Sequence, residues 1–489
     1  MQASDSGRIG STKLLIACVV TASLVGLVVS WFDPVWAIAG LGGLVAVGLV
    51  LYDYRIGAIC LTFLLPWLSS PLIPQTHGFN LVNFLILASV ASLALRRTYQ
   101  SEPRLRMPRV VLYCYLLPIA IATLLAIPHL PQAVANFPPR APEFVQAFAL
   151  DEYLKARVMK PMYYVIYAYV LASAVKESKR PEQFLVAFGL SAVIPALTII
   201  GSVLMGAGSV FERGGYLENL GLHPNSYGMM LALASGPLLF LATGSGPKFS
   251  RLASVCALAL VSVGLLLTGS RGATLAYLVI LAVWVIRRRR FSDLLFLIAF
   301  VVLMVIAVPD KVFDRLTLGL DDTQATRVDN MDDPLTKGRI ASWALLGPDI
   351  LDSPLWGRGL GSVAWNTATT AGRYEAALSH NMYLDVLLDM GLLGFVAFSV
   401  LFYRYIRGFS ALSRNPTISP RLQEFFGGAF AAILGMLAMS ATNGYYMPVP
   451  EQTFLWFGLA LLYAYWPLFE AERTAKRSKR GVRPGKLLA

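Results

Sequence analysis

The chain has 489 residues, of which 56% are hydrophobic and only 14% charged, with a mean hydropathy of +0.61. Soluble domains carry roughly 25% charged residues, so this composition excludes an ordinary soluble enzyme, a disordered chain and a nucleic-acid-binding protein of the usual kind. The net charge of +13 must be read by its placement, because membrane proteins collect Lys and Arg on the cytoplasmic side.

A bilayer core needs roughly 20 apolar residues per helix, with about 17 to 25 usual. In chain order the candidate runs are 13–30, 35–51, 56–70, 79–95, 108–127, 159–175, 183–205, 224–242, 252–268, 272–286, 291–308, 380–403, 423–442 and 452–469. Backbone groups in lipid must pair within their own segment, so these runs are expected to be helices. The predicted fold is an all-α polytopic membrane protein of about 12–14 transmembrane helices. Its expected parts are an N-terminal bundle over 1–308, a large outer loop over 309–379, C-terminal helices over 380–470 and a basic cytoplasmic tail over 471–489. No cleavable signal peptide is apparent. Cys18, Cys60, Cys114 and Cys256 all lie in apolar runs, which speaks against a disulfide framework or a zinc site.

With a cytoplasmic N-terminus and every run spanning, the inner segments hold 28 of the 41 Lys and Arg and 9 of the 28 acids. The inside is then strongly positive and the outside net acidic, so the basic excess reports orientation and not a polyanion partner. Two outer loops are long, about 128–158 and about 309–379. Within the second, Lys337 to Asp352 reads as a short amphipathic helix with Ile340, Trp343, Leu346 and Ile350 near one face, resting at the membrane surface. The inner loops are short and hold no P-loop and no strand–GxGxxG–helix, so the chemistry is expected at the outer face.

Polar residues at membrane depth are costly and are functional suspects. Arg271, in Thr268-Gly269-Ser270-Arg271-Gly272, stands at an outer joint between two spans. It is either an anion ligand or a snorkelling arginine. His380, in Ser379-His380-Asn381-Met382-Tyr383, opens the span after the large loop, with Ser379 as the expected N-cap. The positive end of a helix favours a neutral, proton-accepting ring there. Gly391 and Gly394 lie further along and are expected to permit close helix packing. Asp385 and Asp389 share a face away from His380 and are poor candidates for orienting its ring directly.

Gly338-Arg339 leads into the loop helix, and Pro354-Leu355-Trp356-Gly357-Arg358-Gly359-Leu360-Gly361 follows it. The glycines there form either a backbone anion cradle or a turn. Asp321, Asp322, Asp329, Asp332 and Asp333 lack a His or Cys companion and are read as turn and cap residues, not metal ligands. His223, in Leu222-His223-Pro224-Asn225, is either a polar clamp or a helix start. Arg213 and Arg373 are further outer cations. His77 and His129 are read as incidental.

Ser379-His380-Asn381-Met382-Tyr383-Leu384 followed by Gly391-Leu392-Leu393-Gly394 resembles the signature of the O-antigen ligase and polymerase superfamily. Gly269-Ser270-Arg271-Gly272, Gly338-Arg339…Trp343 and Pro354-Leu355-Trp356-Gly357-Arg358-Gly359 fit it in the same order, over roughly residues 220–445. The resemblance implies a multi-pass protein of the bacterial inner membrane, both termini cytoplasmic, that transfers a glycan from undecaprenyl pyrophosphate at the periplasmic face. Ligases use lipid A-core as acceptor, polymerases extend a lipid-linked repeat unit, and a related branch glycosylates protein hydroxyls. By position, Arg271 and Arg339 correspond to the functional arginines and His380 to the loop-end histidine. Arg213, His223, Arg358, Asn381 and Tyr383 are expected as further substrate contacts. No cofactor, metal or nucleic acid is expected. A transporter of lipid-linked glycans is the rival from another class; the absence of an internal repeat disfavours it.

Overall fold

The computed structural model describes residues 43, 45–68, 81–99, 105–136, 148–204, 223–289, 291–307, 339–373 and 379–479. The expected first span 13–30, Arg213, and the acids Asp321 to Asp333 lie outside the described residues. The described chain is helical with no strand, as the apolar runs require. Its helices are α1 (Tyr54–Leu64), α2 (Leu81–Tyr99), α3 (Arg109–Asn136), α4 (Leu150–Glu177), α5 (Gln183–Leu204), α6 (Pro224–Thr243) and α7 (Lys248–Leu267). Then come α8 (Arg271–Arg288), α9 (Phe291–Ala307), α10 (Arg339–Asp352), α11 (Met382–Leu412), α12 (Pro420–Met439), α13 (Thr453–Ala464) and α14 (Trp466–Lys479).

Eight of these are long and apolar enough to cross a membrane, or up to nine if the bent pair Pro450–Ala464 and Trp466–Thr474 counts as one span. This is an all-α, multi-pass membrane protein. That count is of the described residues alone, which leave out the expected run 13–30 and most of 35–51; within them, further runs fall short of a full span. The run 56–70 is a short helix, α1, ending in a tighter turn at Leu65–Trp67. The run 272–286 lies in α8, whose 18 residues include Arg271, Arg287 and Arg288. The bundle alternates direction, so the starts of α6, α8 and α11 and the ends of α7 and α12 share one end. Arg96, Arg97, Arg287 and Arg288 mark the other, basic end.

The described parts of the outer loop expected at 128–158 are largely helix. Helix α3 runs on to Asn136 and α4 begins at Leu150. Hydropathy marks the lipid-facing stretch, and both helices extend past it. Each contains one wide turn, Leu112–Leu116 in α3 and Leu154–Met159 in α4, and such turns recur at functional sites.

Helix α6 is enclosed on all sides and packs on α7, α8 and α12. Small residues permit this. A Cβ on Gly428 of α12 would meet the backbone of Gly236 and Pro237, and one on Gly435 would come within 2.7 Å of the Ala276 carbonyl of α8. Helices in lipid associate by such close backbone approach.

The expectation for Gly391 is corrected. It is not a face glycine in a regular helix but a break inside α11, with φ 62° and ψ −164°. A Cβ there would meet the backbone of Leu355 and Trp356 from the large loop. The amide N–H groups of Leu392 and Leu393 instead donate to the carbonyls of Pro354 and Leu355, at 2.8 and 3.2 Å. The break thus docks the loop to the bundle. Gly391→Ala combines left-handed strain with overpacking, and we expect it to destabilise the protein by about 2–3 kcal/mol. Gly347→Ala, at a helical position with open space, is expected to be neutral or slightly stabilising. Thermal unfolding of the two variants in detergent checks the contrast.

Candidate functional site

Four helices begin at the end of the bundle opposite the basic one. His223 is the N-cap of α6, its Nδ1 accepting from the Asn225 N–H at 3.1 Å. Ser270 caps α8, so Arg271 is its first residue. Arg339 is the first residue of α10. His380 stands two residues before α11. The starts of α6 and α8 are in contact, since a Cβ on Gly228 would lie 3.0 Å from the Ser270 Cβ. Helix N-termini carry partial positive charge from unpaired N–H groups, so their assembly suits an anion.

The side chains converge electrostatically. Surrounding protein, and then the Arg339 charge, hold the His380 imidazole below its ordinary pKa of 6.5; His223 acts in the same direction. The Asn443 side chain hydrogen-bonds the ring and opposes that shift only in part. Burial and the neighbouring Arg271 likewise lower the Arg339 pKa, although a guanidinium remains charged at any physiological pH. Arg271 and Arg339 thus bring positive charge to the end of the bundle where the helix N-termini already favour an anion.

The His380 turn is held from both sides. Its backbone has φ 50°, a left-handed conformation that few non-glycine residues adopt. Asn381, not Ser379, caps α11: its Oδ1 accepts from the Tyr383 and Leu384 N–H groups at 3.0 and 3.3 Å. The expected Ser379 cap is therefore displaced by two residues. Ser379 serves the turn instead, its hydroxyl donating to Asp385 Oδ1 at 2.5 Å and accepting from the Asn381 N–H at 3.0 Å. Trp343 Nε1 of α10 donates to the Ser379 carbonyl at 2.7 Å, and the Met382 N–H to the Ser440 carbonyl at 3.0 Å. Asp385 thus acts on the backbone that carries His380, not on the ring. Strain of this kind persists only where the surroundings over-determine it.

A cavity of about 460 Å³ opens beside His380. Arg157 and Lys160 of α4, Asp385 and Asp389 of α11, and Asn443, Tyr445 and Tyr446 after α12 line it, with Phe148, Leu360 and Met447 giving an apolar wall. Arg157 lies in the wide turn of α4, its guanidinium 5.9 Å from the centre of the Phe148 ring. The Tyr445 phenol is pushed up to about 12, chiefly by burial, so it keeps its proton at neutral pH and can donate a hydrogen bond into the cavity. Arg157, Lys160 and Asn443 are not among the residues singled out from sequence. The signal for one of them was present: Arg157, with Lys155, is a cation in a segment placed outside, where such residues are disfavoured, and Lys160 lies at the start of the run that follows.

Other expected contacts have structural roles. Arg358 pairs with the buried Asp349, which also accepts from the Thr367 N–H and hydroxyl. Tyr383 donates its hydroxyl to the Leu437 carbonyl at 2.6 Å. The glycine-rich segment is a packed turn whose N–H groups are spent within the chain. Those of Arg358, Gly359 and Leu360 reach Leu388, Asp389 and Ala122 carbonyls at 2.8–3.0 Å. The N–H groups of Gly361 and Ser362 reach the Asp389 carboxylate, each at 2.9 Å. That carboxylate also accepts from the Ser362 hydroxyl at 2.5 Å and from the Tyr446 hydroxyl. Helix α10 lies against protein, burying Ala341, Ser342, Leu346 and Asp349, where the expected apolar face was Ile340, Trp343, Leu346 and Ile350. His129 stacks on Trp365, ring centres 5.7 Å apart.

Residues 256–399 match the family model described as O-antigen ligase, which supports the O-antigen ligase superfamily for this chain. The match includes Arg271, Arg339 and His380 and leaves out His223, Arg157, Lys160 and Asn443, which the fold brings to His380. Comparison with curated proteins gives no significant match.

Asp389→Asn places an amide nitrogen among N–H donors. Leaving buried donors unmatched costs about 1–3 kcal/mol, so the loop is expected to loosen, read as faster limited proteolysis within 339–373 than in the parent protein.

Proposed function

We propose that the protein transfers a glycan from undecaprenyl pyrophosphate to a hydroxyl of lipid A-core at the periplasmic face of the bacterial inner membrane. The observation that carries this reading is the convergence of His380, Arg339 and Arg271 at one end of the bundle, beside a cavity large enough for sugar. The superfamily match supports the class of reaction. The excess of Lys and Arg at the opposite end supports the orientation.

In this reading His380 is the general base. Its neutral ring takes the proton from the acceptor hydroxyl as that oxygen attacks C1 of the donor sugar. The bond between C1 and the pyrophosphate oxygen breaks, and undecaprenyl pyrophosphate leaves with the electron pair. Arg271 and Arg339 carry the growing negative charge, aided by the helix N-termini around them. Guanidinium forks match phosphate oxygens in geometry. A single displacement inverts the anomeric centre. Arg157 and Lys160 add positive charge along the cavity wall, and Asn443 and the clamped backbone hold the imidazole in place. Because arginines supply the countercharge, no divalent metal is required.

A second lipid-linked glycan as acceptor would make the protein a polymerase, and a protein hydroxyl an oligosaccharyltransferase. The same base and arginines serve each, and purified protein offered each acceptor separately distinguishes them.

General-base catalysis contributes typically 10²- to 10⁴-fold. His380→Ala is expected to lose that much turnover with thermal unfolding unchanged; near-normal turnover removes the assignment. EDTA is expected to leave the rate unchanged. The active form of His380 is neutral, and its pKa is lowered, so activity should hold as pH falls from 7 and be lost only below the ordinary 6.5. In Arg339→Gln the residual activity should lose its acid limb at higher pH, because the cation that disfavours imidazolium is gone. A rate–pH profile of both proteins measures the shift.

A further inference from the structure

A second cavity, about 680 Å³, lies at the basic end of the bundle, far from His380. Four separate elements build it: the segment 105–110, the last turn of α4, the middle of α11 and the start of α14. The segment 105–110 is fixed by the Tyr169 hydroxyl, which donates to the Leu105 carbonyl at 2.8 Å.

The cavity is strongly cationic. Arg106, Arg109 and Lys176 face it from one side, and Arg404 and Arg473 from the other. Glu470 is its single acid, and it is already paired with both Arg404 and Arg473. Arg106, Arg109 and Lys176 have no acidic partner among the described residues. Three like charges around one cavity repel one another, and a bound anion would relieve that repulsion.

The rest of the lining is apolar, with Met107, Val110, Val400 and Trp466 beside the cations. Arg404 lies 5.5 Å from the centre of the Trp466 ring. At Trp466 the chain bends by 56° out of α13, and an amphipathic helix bent away from a span suits the interface plane. Charged groups next to apolar surface at a bilayer edge match a molecule that is anionic at one end and apolar at the other.

We infer that this cavity binds the phosphate-bearing headgroup of an anionic phospholipid, with Arg106, Arg109 and Lys176 holding the phosphate and Met107, Val110 and Val400 meeting the acyl chain. Basic pockets between spans are known to receive such headgroups. This inference does not depend on the transfer reaction.

The test titrates the purified full-length protein, in neutral detergent, with short-chain phosphatidylglycerol, and reads bound lipid by native mass spectrometry. Short-chain phosphatidylcholine and inorganic phosphate are the comparison ligands. The parent protein is expected to bind phosphatidylglycerol saturably and in preference to both. Each cation near a membrane surface contributes about a factor of five, so the triple variant Arg106→Gln, Arg109→Gln, Lys176→Gln should bind about a hundredfold more weakly. All three residues are exposed, so folding is not at stake. Lys176→Gln alone, expected to weaken binding about fivefold, gives a second reading. A control triple variant, Arg289→Gln, Arg414→Gln, Arg421→Gln, removes cations outside the cavity and should bind like the parent. Equal binding by the first variant, equal loss in the control, or displacement of the lipid by equimolar phosphate each overturns the inference. His380→Ala should bind the lipid unchanged.

Discussion

A carboxylate buried inside an apolar bundle is the constraint around which the outer end is organised. An isolated charge there is too costly to survive, so Asp389 must be surrounded by donors, and the chain supplies them from two distant places. Gly361 and Ser362 come from the large loop, and Tyr446 follows α12. Satisfying one charge therefore ties the loop, α11 and the segment after α12 into a single unit. Gly391 and Gly357 make room for it, because each lets one backbone approach another where a side chain would collide.

The candidate site residues inherit their placement from that unit. Trp343 reaches the Ser379 carbonyl only because α10 is docked, and the Met382 N–H reaches Ser440 only because α12 ends beside α11. The left-handed backbone of His380 sits between these two bonds. The positive charge of the site has a different source. It comes from side chains at the first residues of α8 and α10 and from the helix ends themselves. Position and charge are thus supplied by separate parts of the fold that meet at one imidazole.

Much of this was legible in the residues. Apolar runs of spanning length gave the all-α membrane fold, and the hydrophobic spacing after Gly338 gave α10 almost to its bounds. Arg271 and His380 stood out because polar groups are expensive at the edge of a bilayer, and Arg339 through the family resemblance. What the residues did not show is where each hydrogen bond goes. Asp389 looked like a bystander because all four donors to its carboxylate, two backbone N–H groups and two hydroxyls, are more than 25 residues away in sequence. Arg358 looked like an anion ligand because its partner, Asp349, sits in another element. The helical stretches of 128–158 escaped notice because hydropathy marks lipid contact, and helix does not stop where lipid does. Arg157 was hidden in that same stretch, and Lys160 lies just beyond it.

Because α6, α8, α10, α11 and the segment after α12 each contribute one piece, synthesis delivers the parts in sequence. His223 and Arg271 enter the bilayer early, Arg339 and His380 later, and Asn443 nearly last. A nascent chain that has not yet inserted α12 lacks both the amide that steadies the imidazole and the phenol that satisfies Asp389. The outer end of the bundle is thus complete only when insertion is complete, and no half-built chain holds the imidazole and the buried carboxylate in their finished surroundings.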